Sequence, residues 1–324
     1  MKNFFQFGMG FLVLVFLMVF TSCIYASTSA ADQQFIASMQ NDYETINSFV
    51  INKMAGSLGF YASSGWQDTS SSDFLVGPQI AVGVDVGAEL VHIGSINQLP
   101  LSALVGSDNL NMPSYFPIPL PVVYGTIGLL SNLNLGIKYT SIPSEWYGSV
   151  FYGDHGTGFQ AQYQIIKGPL LPSISILTSW NMLKGDSNYQ MGINQQGTYT
   201  VGGKTYNDTI NGTADYNTFW NIYDWEFKIM IAKNMGIFYP YAEIAFQKNY
   251  GTLGSVLLAN VQQTLSDGSS SNENFNIATS VLPQATQLKY EVGFEIGALV
   301  KWGVLFETDG VNIYEGNTGF QLNF

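Results

Sequence analysis

Leu288, Tyr290, Val292, Phe294, Ile296, Ala298 and Val300 alternate with Lys289, Glu291, Glu295 and Lys301. Successive side chains of a β-strand point to opposite faces, so this segment has one apolar face and one charged face. The same period recurs along the chain. Ile80, Val82, Val84, Val86, Ala88 and Leu90 share a face against Ala81, Gly83, Asp85, Gly87 and Glu89. Leu133, Leu135, Ile137 and Tyr139 oppose Asn134, Gly136 and Lys138, and Phe159, Ala161, Tyr163 and Ile165 oppose Gln160, Gln162 and Gln164. Trp225, Phe227, Ile229 and Ile231 oppose Asp224, Glu226 and Lys228, while Ala242, Ile244 and Phe246 oppose Glu243 and Gln247. Alternation alone fits an aqueous sandwich as well as a membrane barrel, and length separates the two. Several segments hold register for roughly a dozen residues, whereas soluble strands centre on about 5–6. A strand that crosses a bilayer needs about 9–11.

Composition points the same way. Only 10% of the 324 residues are charged, with 46% hydrophobic and 15% aromatic, where a soluble domain carries about 25% charged residues. Beyond the opening segment no run approaches the ~20 continuous apolar residues of a membrane helix. A closed all-β antiparallel barrel resolves this, because its lipid-facing residues alternate with polar ones. The segments predict about twelve strands, with roughly 10 to 14 defensible. A net charge of −12 argues against nucleic acid as a partner, since phosphate recognition needs basic patches. The single cysteine, Cys23, excludes an intramolecular disulfide.

Three parts are read along the chain. Residues 1–30 form a signal peptide, with Lys2 ahead of the apolar core Phe11–Phe20 and small residues near Ala26 and Ala30 for cleavage. Phe20-Thr21-Ser22-Cys23 also resembles a lipoprotein cleavage box; either route exports the chain. Residues 32–56 form an amphipathic helix, as Phe35, Met39, Tyr43, Ile46, Val50 and Met54 recur at helical spacing. It serves either as a plug in the lumen or as a periplasmic cap. Residues 57–324 form the transmembrane barrel, the last strand closing it against the first near Ser57–Trp66.

Met235-Gly236 and Lys167-Gly168 read as tight turns, and Gly94–Pro121, Gly185–Asp215 and Thr252–Gln284 as long loops, matching the short periplasmic and long external connections of such barrels. Tyr61 and Trp66, Trp146 and Tyr147, Tyr239 and Tyr241, and Tyr314 read as interfacial girdle residues.

The candidate functional residues fall into two groups. A Lys on the lipid face costs about 2–4 kcal/mol at the midplane, so the charged face must line the lumen: Asp85, Glu89, Lys138, Asp224, Glu226, Lys228, Glu243, Lys289, Glu291, Glu295 and Lys301. Two roles stay open for them, a structural network filling a narrow barrel or the lining of a polar path that favours cations. The second group lies in Leu99–Val123, a stretch too apolar for an ordinary loop: Leu104, Met112, Tyr115, Phe116 and Ile118 offer a site for a small hydrophobic ligand. His92 and His155 have no partner at a spacing that suggests catalysis, and no Cys/His cluster suggests a metal. The expectation is a non-enzyme without cofactor or metal.

Phe320, Leu322 and Phe324 alternate with Gln321 and Asn323 to an aromatic carboxy terminus, which looks like the signal read by the barrel-assembly machinery. Gly56-Ser57-Leu58-Gly59, Ser64-Gly65-Trp66, Pro117-Ile118-Pro119-Leu120-Pro121, Gly136-Ile137-Lys138-Tyr139 and Leu171-Pro172-Ser173-Ile174 stand in an order that resembles an uncharacterised outer-membrane barrel family related to the long-chain fatty-acid transporters (FadL-like). That resemblance covers roughly residues 47–182 and the last strand; the Asn-Pro-Ala motif of the best-known transporters is absent. It implies a barrel in the bacterial outer membrane, with the bilayer as its partner, and a lipid-like substrate. The expected function is passive transport of a small hydrophobic molecule from a site near Leu99–Val123 past the amino-terminal helix. The alternative is a structural or surface-interaction barrel whose lumen is filled.

Overall fold

A computed structural model describes residues 30–65, 79–92, 115–130, 132–147, 150–166, 171–201, 204–265, 270–283 and 286–324. Residues 1–29, expected as signal peptide and holding Cys23, together with Trp66, Leu104, Met112 and the expected Lys167-Gly168 turn, lie outside the described residues.

Among the described residues one helix, α1 (Ala30–Ser63), precedes eleven strands: β1 (Gln79–His92), β2 (Tyr115–Leu130), β3 (Leu133–Tyr147), β4 (Val150–Ile166), β5 (Ser173–Val201), β6 (Lys204–Ala232), β7 (Phe238–Leu265), β8 (Ser270–Val281), β9 (Thr286–Gly297), β10 (Val300–Thr308) and β11 (Ile313–Asn323). Neighbours pair antiparallel around a ring, β1 to β7 in sequence, then β9, β10 and β11 back to β1. Closure is by Ala81↔Asn323 through Val91↔Ile313. The last strand therefore meets Gln79–His92 and not Ser57–Trp66, because the helix runs on through Ser63.

Ten strands close the ring, with β8 outside it. Leu253 pairs with Val281 and Lys248 with Thr286, so β8 and β9 keep a single register along β7. They form one returning line broken around Pro283, which has no N–H to give a ladder. Ten lies within the expected range of 10 to 14, but the central figure of twelve is not confirmed: β5, β6 and β7 span 29, 29 and 28 residues each, lengths that read as two strands with a loop. Gly185–Asp215 and Thr252–Gln284, read as loops, are for the most part these strand extensions, paired through Val201↔Lys204 and Thr264↔Ser270. Their Ser, Thr, Asn and Gln content marks strands that project beyond the apolar band, not coil.

The outward positions are Ile, Val, Leu, Phe, Trp and Tyr around the ring, including Val84, Ile137, Phe159, Ile229, Val292 and Phe320, each about half exposed. Water does not tolerate an apolar belt of that extent, and strands of 12, 9 and 11 residues at β9, β10 and β11 suffice to cross a bilayer. Tyr314 faces outward beside Tyr115. Tyr239 and Tyr241 do not belong to the girdle: both face inward and are buried, and Tyr61 is buried in the lumen on α1. Tyr241 covers Gly293, its cross-strand partner, where a Cβ would collide with the ring; Tyr124 covers Gly83 in the same way.

The connection between β2 and β3, the short turns at 233–237 and 298–299 and the terminal Phe324 share one end, the turn end. At Met235-Gly236 the tight turn forms, with Gly236 at φ 85° and Met235 N–H donating to Phe238 O at 2.9 Å. The opposite, hairpin end carries the β5–β6 and β7–β8 extensions.

β2 departs from expectation. Tyr115–Pro121 is strand, not loop, and pairs with β1 from His92↔Tyr115 to Val86↔Pro121. Its ladder with β3 begins only at Val122↔Thr140. A strand residue sends its N and its C=O to the same side, and Pro121 O accepts from Thr140 Oγ1 on β3 at 2.6 Å. Pro117, Pro119 and Pro121, two apart, thus turn their donorless nitrogens toward β3, and the β2–β3 ladder stops there.

Candidate functional site

α1 lies inside the ring, and its last turns from Ala55 through Gly65 are buried on every side. A helix with no water-facing side needs no clean amphipathic pattern, so the period-based end at residue 56 falls short. Gly59 permits close approach to β7, since a Cβ there would collide with the Asn249 side chain. Gly59 O accepts from Gln247 Nε2, and Gly56 O from Gln287 Nε2 at 2.9 Å. Gly65, at φ 80°, ends the helix in a conformation that glycine adopts without strain.

The helix direction is fixed by its polar contacts. At its middle, Asn47 donates to Thr279 Oγ1 (3.0 Å) and accepts from Tyr216 (2.8 Å) and Ser255 (2.7 Å), all toward the hairpin end. Lys53 reaches Asn312 in the β10–β11 connection at 3.4 Å. At its finish, Lys138 Nζ donates to Ser64 O at 2.7 Å and Lys289 Nζ to Ser63 Oγ at 2.8 Å. No basic residue stands in the last turn of α1; two wall lysines meet the negative end of its dipole instead.

Around α1 the lumen has two storeys. Toward the hairpin end, Ile51, Ala55, Leu58, Tyr61 and Ala62 pack against Val91, Ile118, Leu120, Val122, Ile142, Tyr152, Leu183, Trp220, Ile222 and Leu253. One carboxylate sits in this apolar storey. Asp154 accepts from Tyr61 OH (3.2 Å), Tyr152 OH (2.9 Å) and Ile142 N–H (3.0 Å), tying helix to wall.

Below lies a charged storey. Lys228 meets Glu291 at 2.9 Å, Glu226 at 3.4 Å and Glu243 at 3.7 Å. Lys289 meets Glu226 at 3.3 Å and Glu291 and Glu307 at 3.8 Å. Lys301 meets Glu295 at 2.9 Å, and Asp224 accepts from Asn181 at 2.8 Å. Glu89 accepts from Ser57 of α1. Nearer the turn end a second apolar group, Leu177, Met230, Ala232, Tyr241 and Leu305, completes the filling.

All eleven charged candidates thus face inward and are buried. Glu307, Glu315 and Asp154, also buried, are additions that the sequence reading passed over. Glu307 and Glu315 follow from the same period of two, opposite Phe306 and Tyr314. The apolar candidates are dispersed. Ile118 enters the apolar storey, 5% exposed. Tyr115 instead faces outward on the rim, its ring tilted against His92 at 5.1 Å between centroids, because it precedes the prolines on the outer side of β2. Phe116 lies on β2 between them. Among the described residues the apolar surface of the lumen comes from α1 and from strand interiors on β1 to β7 and β10. Its signal was the pair of apolar faces at Phe219–Tyr223, where Trp220 and Ile222 oppose Phe219 and Tyr223. His155 is exposed on the outer face of β4.

No protein-family model and no curated protein matches the chain. Among solved structures it is similar to the outer membrane protease OmpT from Escherichia coli, at 9% identity over 78% of this chain and 100% of that one, with a TM-score of 0.34. It is similar also to a Pseudomonas aeruginosa FadL homologue, at 6% identity over 77% and 90% with a TM-score of 0.26. The KdgM porin shares 9% identity over 75% and 99% with a TM-score of 0.30. At such distances the likenesses carry no weight for function, and the lumen itself must supply the reading.

Proposed function

We propose that this chain is an outer-membrane barrel that passes a small hydrophobic molecule without energy input, α1 acting as a displaceable plug. The observation that carries this is the apolar storey: Val91, Ile118, Leu120, Leu183, Trp220, Ile222 and Leu253 line the inside of the wall with α1 as their cover. Lumens of water-filled barrels are polar. Withdrawal of α1 toward the hairpin end, where its start already stands, would uncover a chamber suited to an apolar guest. That guest would replace helix side chains by burial of its own surface, worth about 25 cal/mol per Å². The β2–β3 ladder ends beside this chamber, next to Leu120 and Val122, so the wall is weakest where the chamber meets the bilayer. Export through a cleaved signal peptide and assembly through Phe320, Leu322 and Phe324 belong to the same proposal; these three side chains point outward.

A cysteine pair at 47 and 279, whose side chains already touch, tests it. Purified protein in liposomes is expected to take up a hydrophobic fluorescent fatty acid when reduced and not when oxidised. A Leu120→Asp variant, which folds a charge into the chamber, is expected to lose uptake in both states. Uptake that ignores the lock and the Asp would sink the plug and the chamber.

A second reading, a permanently filled structural barrel, is favoured by the density of contacts holding α1, from Asn47 to Ser64. Zero uptake by the reduced protein would favour it.

A further inference from the structure

The charged storey holds more than plug docking requires. Glu89, Glu315, Glu307, Glu291 and Glu243 stand at directly paired positions on β1, β11, β10, β9 and β7. Like charges directly opposite one another repel, so such a row is relieved by cations beside it or by protons on it. Lys228 and Lys289 serve its Glu243–Glu291–Glu307 part. Toward β1 no lysine ion pair follows among the described residues. Glu315 accepts from Asn317 and Glu89 from Ser57, and each keeps one buried carboxylate oxygen without a hydrogen bond. Asp85, on the same inner face of β1 and 1% exposed, has neither oxygen hydrogen-bonded. Its side chain leans over Gly319, where a Cβ would strike it, and so reaches from β1 toward β11. Among the described residues ten carboxylates and four lysines are buried in this lumen.

We infer that the Asp85, Glu89, Glu307 and Glu315 side of the charged storey is a site for small inorganic cations. Once α1 is displaced, it makes the ion current through the barrel cation-selective. Rings of carboxylates select cations in channels by this field effect. Among the described residues no group of three carboxylates is placed to chelate a metal ion, so the cation is held loosely, with its water, and passes on. This goes beyond the hydrophobic cargo; it rests on the displacement of α1 proposed above and not on what the barrel carries.

The test is zero-current potential of the full-length protein in planar bilayers under a potassium chloride gradient. Wild type is expected to favour potassium over chloride. Glu89→Gln with Glu315→Gln keeps both hydrogen-bonding partners and is expected to bring the permeability ratio down toward unity. Asp85→Asn alone gives a smaller fall and stands in if the double variant fails to fold, as judged by heat-modifiable migration on gels. A wild-type ratio at or below unity, an unchanged ratio in the folded variants, or no current at all overturns the inference. Fatty-acid uptake measured alongside keeps the two proposals apart, since uptake without selectivity removes only this one.

Discussion

Lys289 Nζ lies 3.3 Å from Glu226, 2.8 Å from Ser63 Oγ and 4.2 Å from the centroid of the Phe60 ring, with no solvent contact. It joins the wall's carboxylates to the end of the plug. Removing one partner of a buried ion pair leaves the others uncompensated, at about 3–5 kcal/mol. Lys289→Met, similar in length and apolar, is therefore expected to lower unfolding stability by about 3–5 kcal/mol, read by denaturant titration in detergent. A loss under about 1 kcal/mol, the level of an exposed pair, would mean that water already shares this storey. The inward direction of Lys289 was legible because Leu288 and Tyr290 flank it with lipid-facing side chains. Glu307 was harder to see. Leu305, two residues before it, is inward and apolar, so β10 offers no clean polar face to follow.

Elements show where periodicity stops being informative. Alternation found the strands within the apolar band, because there the two faces meet lipid and lumen. Above the band both faces of β5 to β8 leave the bilayer, the contrast disappears, and paired strands read as loops. α1 was legible at its start and not at its end, since a closed lumen buries all its faces. β2 was concealed by its own prolines, which sit in a strand only because they face an unpaired side. That assignment makes a prediction. Pro119→Val with Pro121→Val restores two N–H groups aimed at β3. The β2–β3 ladder is expected to extend beyond Val122↔Thr140, adding about 0.5–1.5 kcal/mol for each hydrogen bond formed. Hydrogen exchange of β3 residues 141–147 is expected to slow in the variant. Unchanged exchange there would mean that the prolines are not what parts these strands.

At the scale of the whole molecule, barrel class and inward charge came from pattern, while the apolar storey did not, because apolar residues on both faces of a strand leave no contrast to read. The arrangement of the plug adds a consequence for topology. α1 descends from the hairpin end, with Asn47 among the β6, β7 and β8 extensions and Ser64 at the charged storey. β1 begins at the turn end, where Ile80 meets Phe324. Short turns face the periplasm in barrels of this kind, which puts the start of α1 on the cell exterior. Asn41, exposed near that start, is the reporter. In intact cells an Asn41→Cys variant is expected to react with a membrane-impermeant maleimide, while Leu299→Cys, 66% exposed in the β9–β10 turn, reacts only after the outer membrane is permeabilised. The wild-type chain, whose one cysteine is Cys23, supplies the blank. Labelling of Leu299→Cys from outside with protection of Asn41→Cys would reverse the barrel's orientation, and withdrawal of the plug would then have to open toward the periplasm.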